Sequence, residues 1–529
     1  MPFELWWQRG VVYQIYPRSF KDSNTDGVGD LPGIIEQLDY LTWLGVDAVW
    51  ISPVYPSPMA DFGYDVADYT DIHPLFGTLA DMDRLIAAAH AKGLKVILDF
   101  VPNHTSDQHP WFEEARKSRS SAKRDWYLWR DAKPDGSPPN NWQSVFGGSA
   151  WEWDEATSQY YYHAFLKQQP DLNWRNPAVR EAAYAAMRFW LDRGVDGFRV
   201  DVLWHLIKDD AFRDNPANPD YRPDQPPYEA LIPSYSTDQP EVHEIVQEMR
   251  ALVDRYRERV LIGEIYLPLG RLLAYYGPTG NGAHLPFNFQ LITLPWNAQR
   301  IASAIGEYEG ALPANAWPNW VLGNHDQPRI ASRVGLSQSR VAAMLLLTLR
   351  GTPTVYYGDE LGMRDVPLAP EQYQDPQGIN IGFSRDPQRT PMQWSSADGA
   401  GFSAARPWLP LSPDYRRCNV AVQSAEPGSM LDFYRRLLKL RRSEPALSTG
   451  TYAPIVTSGD LLAYVRASGE ARFLVVLNFG PRSAHLALPN LGTGTVVLAT
   501  DGSREGEFVK DRLPMLGDEG VLIRLDRAQ

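Results

Sequence analysis

Asp201, Glu264 and Asp326 each stand at or just past the end of a short apolar run, in Gly197-Phe-Arg199-Val-Asp201, Leu261-Ile-Gly-Glu264 and Gly323-Asn-His325-Asp326. A fourth segment, Asp99-Phe-Val-Pro-Asn103-His104, has the same form. Carboxyl groups gathered this way can break an acetal: one protonates the leaving oxygen while another attacks the carbon or activates water. Arg199 and Asp201 lie two apart in a strand and share a face, so the guanidinium is expected to hold Asp201 ionised, as a nucleophile requires. Glu264 follows Leu-Ile-Gly, and apolar neighbours raise a carboxyl pKa and suit it to the acid role. Asp326, beside His325, can bind adjacent hydroxyls and oppose positive charge in a transition state. A single Asp or Glu at a strand end is more often a helix cap or ion-pair partner; four such ends in one chain make the catalytic reading the stronger one.

The runs before these groups, Leu94 to Leu98, Val195 to Val200, Val260 to Ile262 and Trp320 to Leu322, read as buried parallel strands. Eight strand-like stretches can be placed: Val11 to Tyr16, Val46 to Ser52, Leu94 to Phe100, Val195 to Asp201, Arg259 to Glu264, a weaker His284 to Phe289, Trp320 to Asp326 and Thr352 to Tyr357. Helical periodicity falls between them at Leu31 to Leu44, Ala80 to Ala91, Pro177 to Asp192, Val242 to Tyr256 and Ser339 to Leu349. The alternation predicts a (β/α)8 TIM barrel over 1–101 and 174–450, with catalytic groups at the carboxyl ends of its strands. The stretch 102–173, rich in Trp, Tyr, Pro, Gly and Ser, is too long for a loop and predicts a domain inserted after strand three. A second excess, 359–413, predicts a subdomain after strand eight. From Thr451 short alternating segments such as Leu461 to Arg466 and Phe473 to Asn478 predict a C-terminal antiparallel β-sandwich over 451–529.

Composition excludes several classes. At 529 residues the chain exceeds one hydrophobic core. A net charge of -13 with interspersed basic residues offers no stripe for a phosphate backbone, so no nucleic-acid partner is expected. No leader pattern opens the sequence and no stretch approaches about 18 apolar residues, so no membrane association is expected. Cys418 is the single cysteine, which excludes an internal disulfide and fits a cytoplasmic protein, as a monomer or homo-oligomer.

The four segments, in this order, resemble the standard regions of the α-amylase superfamily, glycoside hydrolase family 13, from about Gln8 to Trp394. Gln169-Pro-Asp-Leu-Asn173 is similar to the marker of its α-glucosidase and oligo-1,6-glucosidase branch. The resemblance implies Asp201 as nucleophile of a retaining mechanism, Glu264 as acid/base and Asp326 as transition-state stabiliser, with Asp99, His104, Arg199 and His325 shaping the first glucose subsite. Asp61-Phe-Gly-Tyr64-Asp65 resembles the loop that grips a terminal glucose. Phe146 and Phe165 resemble aromatics of the inserted domain that wall the pocket. Ser384-Arg385 to Arg389-Thr-Pro-Met-Gln-Trp394 resembles the segment that supplies an arginine to the same hydroxyls as Asp61, by Arg385 or Arg389. Val202, directly after the nucleophile, resembles α-1,6-acting members. The implied activity is exo-acting α-glucosidase on short α-glucosides, with transglucosylation open to it. A transferring relative such as a trehalose synthase or sucrose isomerase is the alternative, though Gln327-Pro-Arg-Ile-Ala-Ser-Arg lacks the Arg-Leu-Asp-Arg-Asp segment of sucrose isomerases. A non-enzymatic glucosidase-like scaffold is disfavoured by the intact carboxylates.

Asp22-Ser-Asn24-Thr-Asp26-Gly27-Val28-Gly-Asp30 matches a calcium loop at positions one, three, five, six, seven and nine, but carries Gly33 where the bidentate Glu belongs. Structural Ca²⁺ is expected on Asp22, Asn24, Asp26, Val28 and Asp30, as in oligo-1,6-glucosidase relatives; the alternative is an Asx-rich turn served by its own backbone. Catalysis is expected to need no metal.

Overall fold

The computed structural model describes residues 5–456, 458–487 and 492–526; residues 1–4, where the leader reading begins, lie outside them. Eight parallel strands form the centre: β1 (Val12–Ile15), β2 (Ala48–Ile51), β3 (Lys95–Phe100), β4 (Gly197–Val200), β5 (Val260–Gly263), β6 (Leu285–Pro286), β7 (Asn319–Val321) and β8 (Thr352–Tyr356). Strands β1 to β6 pair in succession, β7 pairs with β8, β8 pairs back onto β1, and β6 and β7 are the ends of the ladder. Pro286 has no N–H to give β7, and the Asn319 amide bridges instead, donating to the Pro286 carbonyl (2.5 Å) and accepting the Asn288 N–H (3.0 Å). The strands are closed into a barrel.

Strand alternation sorts the core. Val12, Ala48, Trp50, Ile97, Val260, Ile262 and Val321 form one buried cluster. Their neighbours Tyr13, Val49, Val96, Phe198, Leu261 and Trp320 join a second with the surrounding helices, as period-two strands buried on both faces must. Gly197 is required where β4 meets β5, because a Cβ there would lie 2.2 Å from the Val260 carbonyl oxygen. That close approach sets the spacing of the strands that carry Asp201 and Glu264.

The helices start on side-chain caps: Thr78 for Leu79–Ala91, Asn176 with Pro177 in the first turn for Pro177–Asp192, and Ser429 for Met430–Ser443. The stretch read as one helix from Leu31 to Leu44 is two, Leu31–Glu36 and Leu38–Leu44, broken at Gln37 (φ -100°, ψ 5°). Ser339 to Leu349 is the later part of Ile330–Thr348, which breaks at Gly335 (φ 81°). Helices Ala298–Ala311 and Met430–Ser443 were not read from the sequence. Strand seven is shorter than expected, since the Asn324 side chain accepts the Asp326 N–H (2.9 Å) and turns the chain out of the sheet.

Between β3 and Pro177 the chain leaves the barrel and forms a three-stranded antiparallel sheet of Trp129–Arg130, Gln159–Tyr162 and Trp151–Asp154. After Pro445–Ser448 comes a six-stranded antiparallel sheet facing a two-stranded one. Ala463, Val465, Leu474, Val476, Val521 and Ile523 face Leu486, Leu513 and Met515 of the small sheet, while Leu462, Tyr464, Phe473, Val475 and Leu522 pack into the barrel's core. No helix among the described residues is long and apolar enough to cross a membrane.

Candidate active site

Three strand ends converge on one guanidinium. Arg199, 1% exposed, gives Nη1 to Asp99 Oδ1 (2.8 Å) and Asp201 Oδ1 (2.7 Å), and Nη2 to Glu264 Oε2 (2.7 Å). Glu264 Oε2 also accepts the Val202 N–H (2.8 Å). To aim that N–H, Val202 adopts left-handed backbone (φ 35°, ψ 47°), which for a β-branched residue stores about 1 to 3 kcal/mol of strain. Asp99 is held further by Trp50 Nε1 (3.2 Å) and the Tyr64 hydroxyl (3.1 Å).

His325 occupies the opposite wall. Gln14 Nε2 donates to its Nδ1 (2.8 Å), so Nε2 carries the proton that faces Tyr64 Oη (2.7 Å) and Asp326 Oδ2 (3.3 Å). Tyr64 lies parallel to the His325 ring, with centroids 5.4 Å apart. His104 accepts from Asn103 Nδ2 (3.0 Å) and turns Nε2 to the Tyr64 carbonyl (3.0 Å). Burial pulls His104 down to about 4 and His325 well below its ordinary value, so both rings are neutral at pH 7.

The carboxyl groups separate by surroundings. Burial pushes Asp201 well above the carboxylate range and outweighs Arg199, which overturns the expectation that Arg199 alone keeps it ionised. Burial raises Glu264 too, and Asp99 to about 6. Three buried carboxyls against one guanidinium therefore hold protons more tightly than free carboxyls do, a property of the group rather than of any member. Asp326 goes the other way: burial opposes its charge, but the facing N–H of neutral His325 and the charges of Arg385 and Arg389 together overcome it and hold it well below the ordinary range.

Asp201, Val202, Glu264, His325 and Asp326 open on one cavity of about 390 Å³. Asp61, Tyr64, His104, Phe146, Phe165 and Arg385 complete its walls. Arg385 closes one side, with Nη2 on Asp61 Oδ1 (2.8 Å) and Nη1 on Asp326 Oδ1 (3.1 Å), its guanidinium 4.8 Å over the Phe146 ring. Arg389, 1% exposed, sits behind it, bonded to Asp326 Oδ1 (2.9 Å) and the His325 carbonyl (2.8 Å). The two arginines thus divide the work: Arg385 lines the cavity and Arg389 supports Asp326 from outside it. Phe165 stands over His104 with centroids 5.3 Å apart. Gln169 of the marker segment donates to Asp61 Oδ2 (3.2 Å), and Asp171 takes Asn103 Nδ2 (2.9 Å) and Lys208, tying the inserted sheet to β3.

Sequence reasoning missed Asp375, fully buried, which pairs with Arg385 (2.7 Å) and faces Arg389 (3.9 Å). Its sole signal was an Asp directly before Pro376. Tyr266, Tyr228 and Gln377 also line the cavity without any motif to announce them, as does Gln327 directly after the His325-Asp326 pair.

The calcium-like loop is built of Asx turns. Asp22 accepts the N–H groups of Asn24 (3.0 Å), Thr25 (2.7 Å) and Gly27 (2.9 Å) and the Ser403 hydroxyl. Asn24 accepts Asp26 N–H (3.0 Å), Asp26 accepts Val28 N–H (2.8 Å), and Asp30 caps the next helix through Gly33 N–H (2.7 Å). Among the described residues no group of three or more His, Cys, Asp or Glu side chains is disposed to hold a metal ion. Asn24 and Asp26 stay exposed and keep free lone pairs, so the donors are of the kind a hard cation takes.

A barrel with carboxylates on its strand ends and an inserted domain walling one cavity is a glycosidase architecture, and comparison agrees. The family model for the α-amylase catalytic domain matches residues 14–450. The chain is 44% identical to a probable α-glucosidase of Rhizobium meliloti over 502 residues, covering 92% of this chain and 91% of that one. It is 40% identical to an oligo-1,6-glucosidase of Parageobacillus thermoglucosidasius, covering 92% of each. The crystal structure of an α-glucosyl transfer enzyme, XgtA, superposes with a TM-score of 0.95 at 42% identity, covering 99% of this chain and 100% of that one. The trehalulose synthase MutB of Pseudomonas mesoacidophila MX-45 superposes with 0.91 at 36%, with the same coverage. The chain belongs to the α-amylase family, glycoside hydrolase family 13, in its α-glucosidase and oligo-1,6-glucosidase branch.

Proposed function

We propose that this chain is a retaining, exo-acting α-glucosidase that releases terminal glucose from short α-glucosides. The observation that carries it is the Arg385–Asp61 pair (2.8 Å), which walls the cavity holding Asp201, Glu264 and Asp326. A terminal glucose placed against that wall gives its outer hydroxyls to Asp61 and Arg385, and its sugar chain has no route past them. Asp201 attacks the anomeric carbon, Glu264 delivers the proton that its burial helps it hold, and ionised Asp326 opposes the oxocarbenium charge. Tyr64, His104 and His325 surround the ring, Phe146 and Phe165 cover it, and Arg199 steadies both reacting carboxylates. Water then enters from the mouth with Glu264 as base.

The test is incubation with maltose, isomaltose, sucrose and trehalose, with all products resolved. Free glucose as the main product of maltose or isomaltose supports hydrolysis. New disaccharides from sucrose or maltose would support the transfer reading, which the likeness to XgtA and MutB favours.

Val202 on the cavity wall supports α-1,6 activity beside α-1,4. For the Asp22 loop we propose structural Ca²⁺ on Asp22, Asn24, Asp26, Asp30 and the Val28 carbonyl, with the side chains turning from their Asx bonds onto the ion as it binds, since as they stand no three of the acids converge. The ion takes no part in the chemistry. Cytoplasmic residence is supported by the lone, half-buried thiol of Cys418, and small oligosaccharides are the partners the cavity suits.

A further inference from the structure

A second cavity, of about 540 Å³, lies where the inserted sheet meets the barrel, and Arg119, Arg124, Arg130, Arg175 and Lys208 wall it. In a chain of net charge -13, five cations in one recess run against the average. Their partners divide them into two sets. Arg119 pairs with Asp131 (3.0 Å), Arg175 with Asp210 (2.9 Å) and Glu241 (2.8 Å), and Lys208 with Asp171. Arg124 and Arg130 form no ion pair among the described residues. Arg124 donates to the Ala115 carbonyl (3.1 Å), Thr157 Oγ1 (3.0 Å) and Gln159 Oε1 (2.6 Å), all neutral acceptors, and lies 3.4 Å over the Trp129 ring. Arg130 donates to the Trp129 carbonyl (2.7 Å) and lies 3.7 Å over Phe212.

Stacking on a ring fixes a guanidinium plane; Arg130 keeps Nε and Nη2 to fork onto an oxyanion, while Arg124 keeps one Nη1 hydrogen beside its three bonds. Trp129 is 7% exposed, and its Nε1 has no hydrogen-bond partner; Arg124 Nε has none either. Two acids share the lining. Asp210 is engaged by Arg175, and Asp125 accepts the side-chain amides of Asn173 (3.3 Å) and Asn176 (3.3 Å). Burial pulls Arg124 down to about 10 against the opposing charge of Asp154.

We propose that this recess binds a small phosphate-type oxyanion through Arg124 and Arg130. The ligand is free phosphate or the phosphate of a small sugar phosphate; the glucose cavity takes neither, since its walls carry Asp61, Asp201, Glu264 and Asp326.

Calorimetric titration of the full-length protein at constant ionic strength, with inorganic phosphate and with glucose 6-phosphate, tests it. One saturable site is expected, with a Kd at or below about 1 mM, weakened roughly tenfold or more in Arg130→Gln. Arg130 is exposed and its one acceptor is a backbone carbonyl, so Arg130→Gln should keep the wild-type melting temperature and glucoside turnover. Arg124→Lys keeps the charge but loses the guanidinium plane, and should weaken binding as well. Equal affinity for the two probes identifies the free anion as ligand, and a tenfold preference for glucose 6-phosphate identifies the sugar phosphate. No saturable heat with either probe up to about 20 mM, or binding that both variants leave intact, overturns the proposal.

Discussion

At the scale of single residues, three carboxyl groups with different surroundings carry the chemistry. Asp201→Asn and Glu264→Gln keep volume and fold but remove the nucleophile and the proton, so each should lower kcat at least about a thousandfold with an unchanged melting temperature. Near-normal turnover in either would remove that residue from the mechanism. Val202 carries a separate expectation, because its side chain lines the cavity while its N–H holds Glu264. Val202→Thr and Val202→Ala retain the N–H and alter only the wall, so the kcat/KM ratio of maltose to isomaltose should rise about tenfold, or about 1.4 kcal/mol of differential transition-state binding. An unchanged ratio would place linkage choice in the loops of Tyr228 and Gln377. The residues themselves were legible because each ends an apolar run or lies in a short motif. Their charge states were not: Arg199 beside Asp201 suggests an ionised carboxylate, and the opposite shift appears once the burial of three carboxyls around one guanidinium is counted. Asp375 was invisible for a similar reason, since its contact with Arg385 arises from a fold-back within an aperiodic stretch.

At the scale of elements, strand ends place the chemistry and the turns after them tune it. Strands β1 to β5 and β8 could be read from sequence because burial on both faces writes a continuous apolar run. β6 could hardly be read, since Pro286 and the bridging Asn319 replace a ladder that would have had a hydrophobic signature. The turn after β8 holds a buried acid outside the cavity. Burial raises Asp359 to about 7, against the pull of Arg329, and its side chain is 3% exposed. The folded state thus keeps a proton that the unfolded chain gives up near pH 4. With the folded value above the unfolded one, stability from this group is full below about pH 4 and falls as pH rises to about 7. Asp359→Asn should flatten the fall of melting temperature across that window, read by calorimetry at several pH values; an identical pH profile in wild type and variant would mean Asp359 is ionised when folded. The Asp22 loop makes its own prediction. A cation bound by the folded state alone stabilises it by mass action, so a chelator should lower the melting temperature and leave activity at low temperature intact. No change on chelation would leave the loop as Asx turns held by their own N–H groups.

At the scale of the whole molecule, barrel, inserted sheet and the turns after β8 meet over one cavity, and the reaction's outcome follows from that closure. Arg385 and Phe146 arrive from segments far apart in sequence and touch across the cavity, so the alternation of strands and helices could announce the barrel but not the wall that makes the site exo-acting. The central claim is that Asp201 acts as nucleophile inside that wall. Proton NMR of the earliest glucose released from an aryl α-glucoside, whose leaving group is not itself a glucose, measures it directly before mutarotation. Double displacement at Asp201 predicts the α-anomer first, with the β-anomer growing in as the sugar equilibrates. Release of β-glucose first would mean that water attacks the substrate directly, and would contradict the nucleophilic role of Asp201.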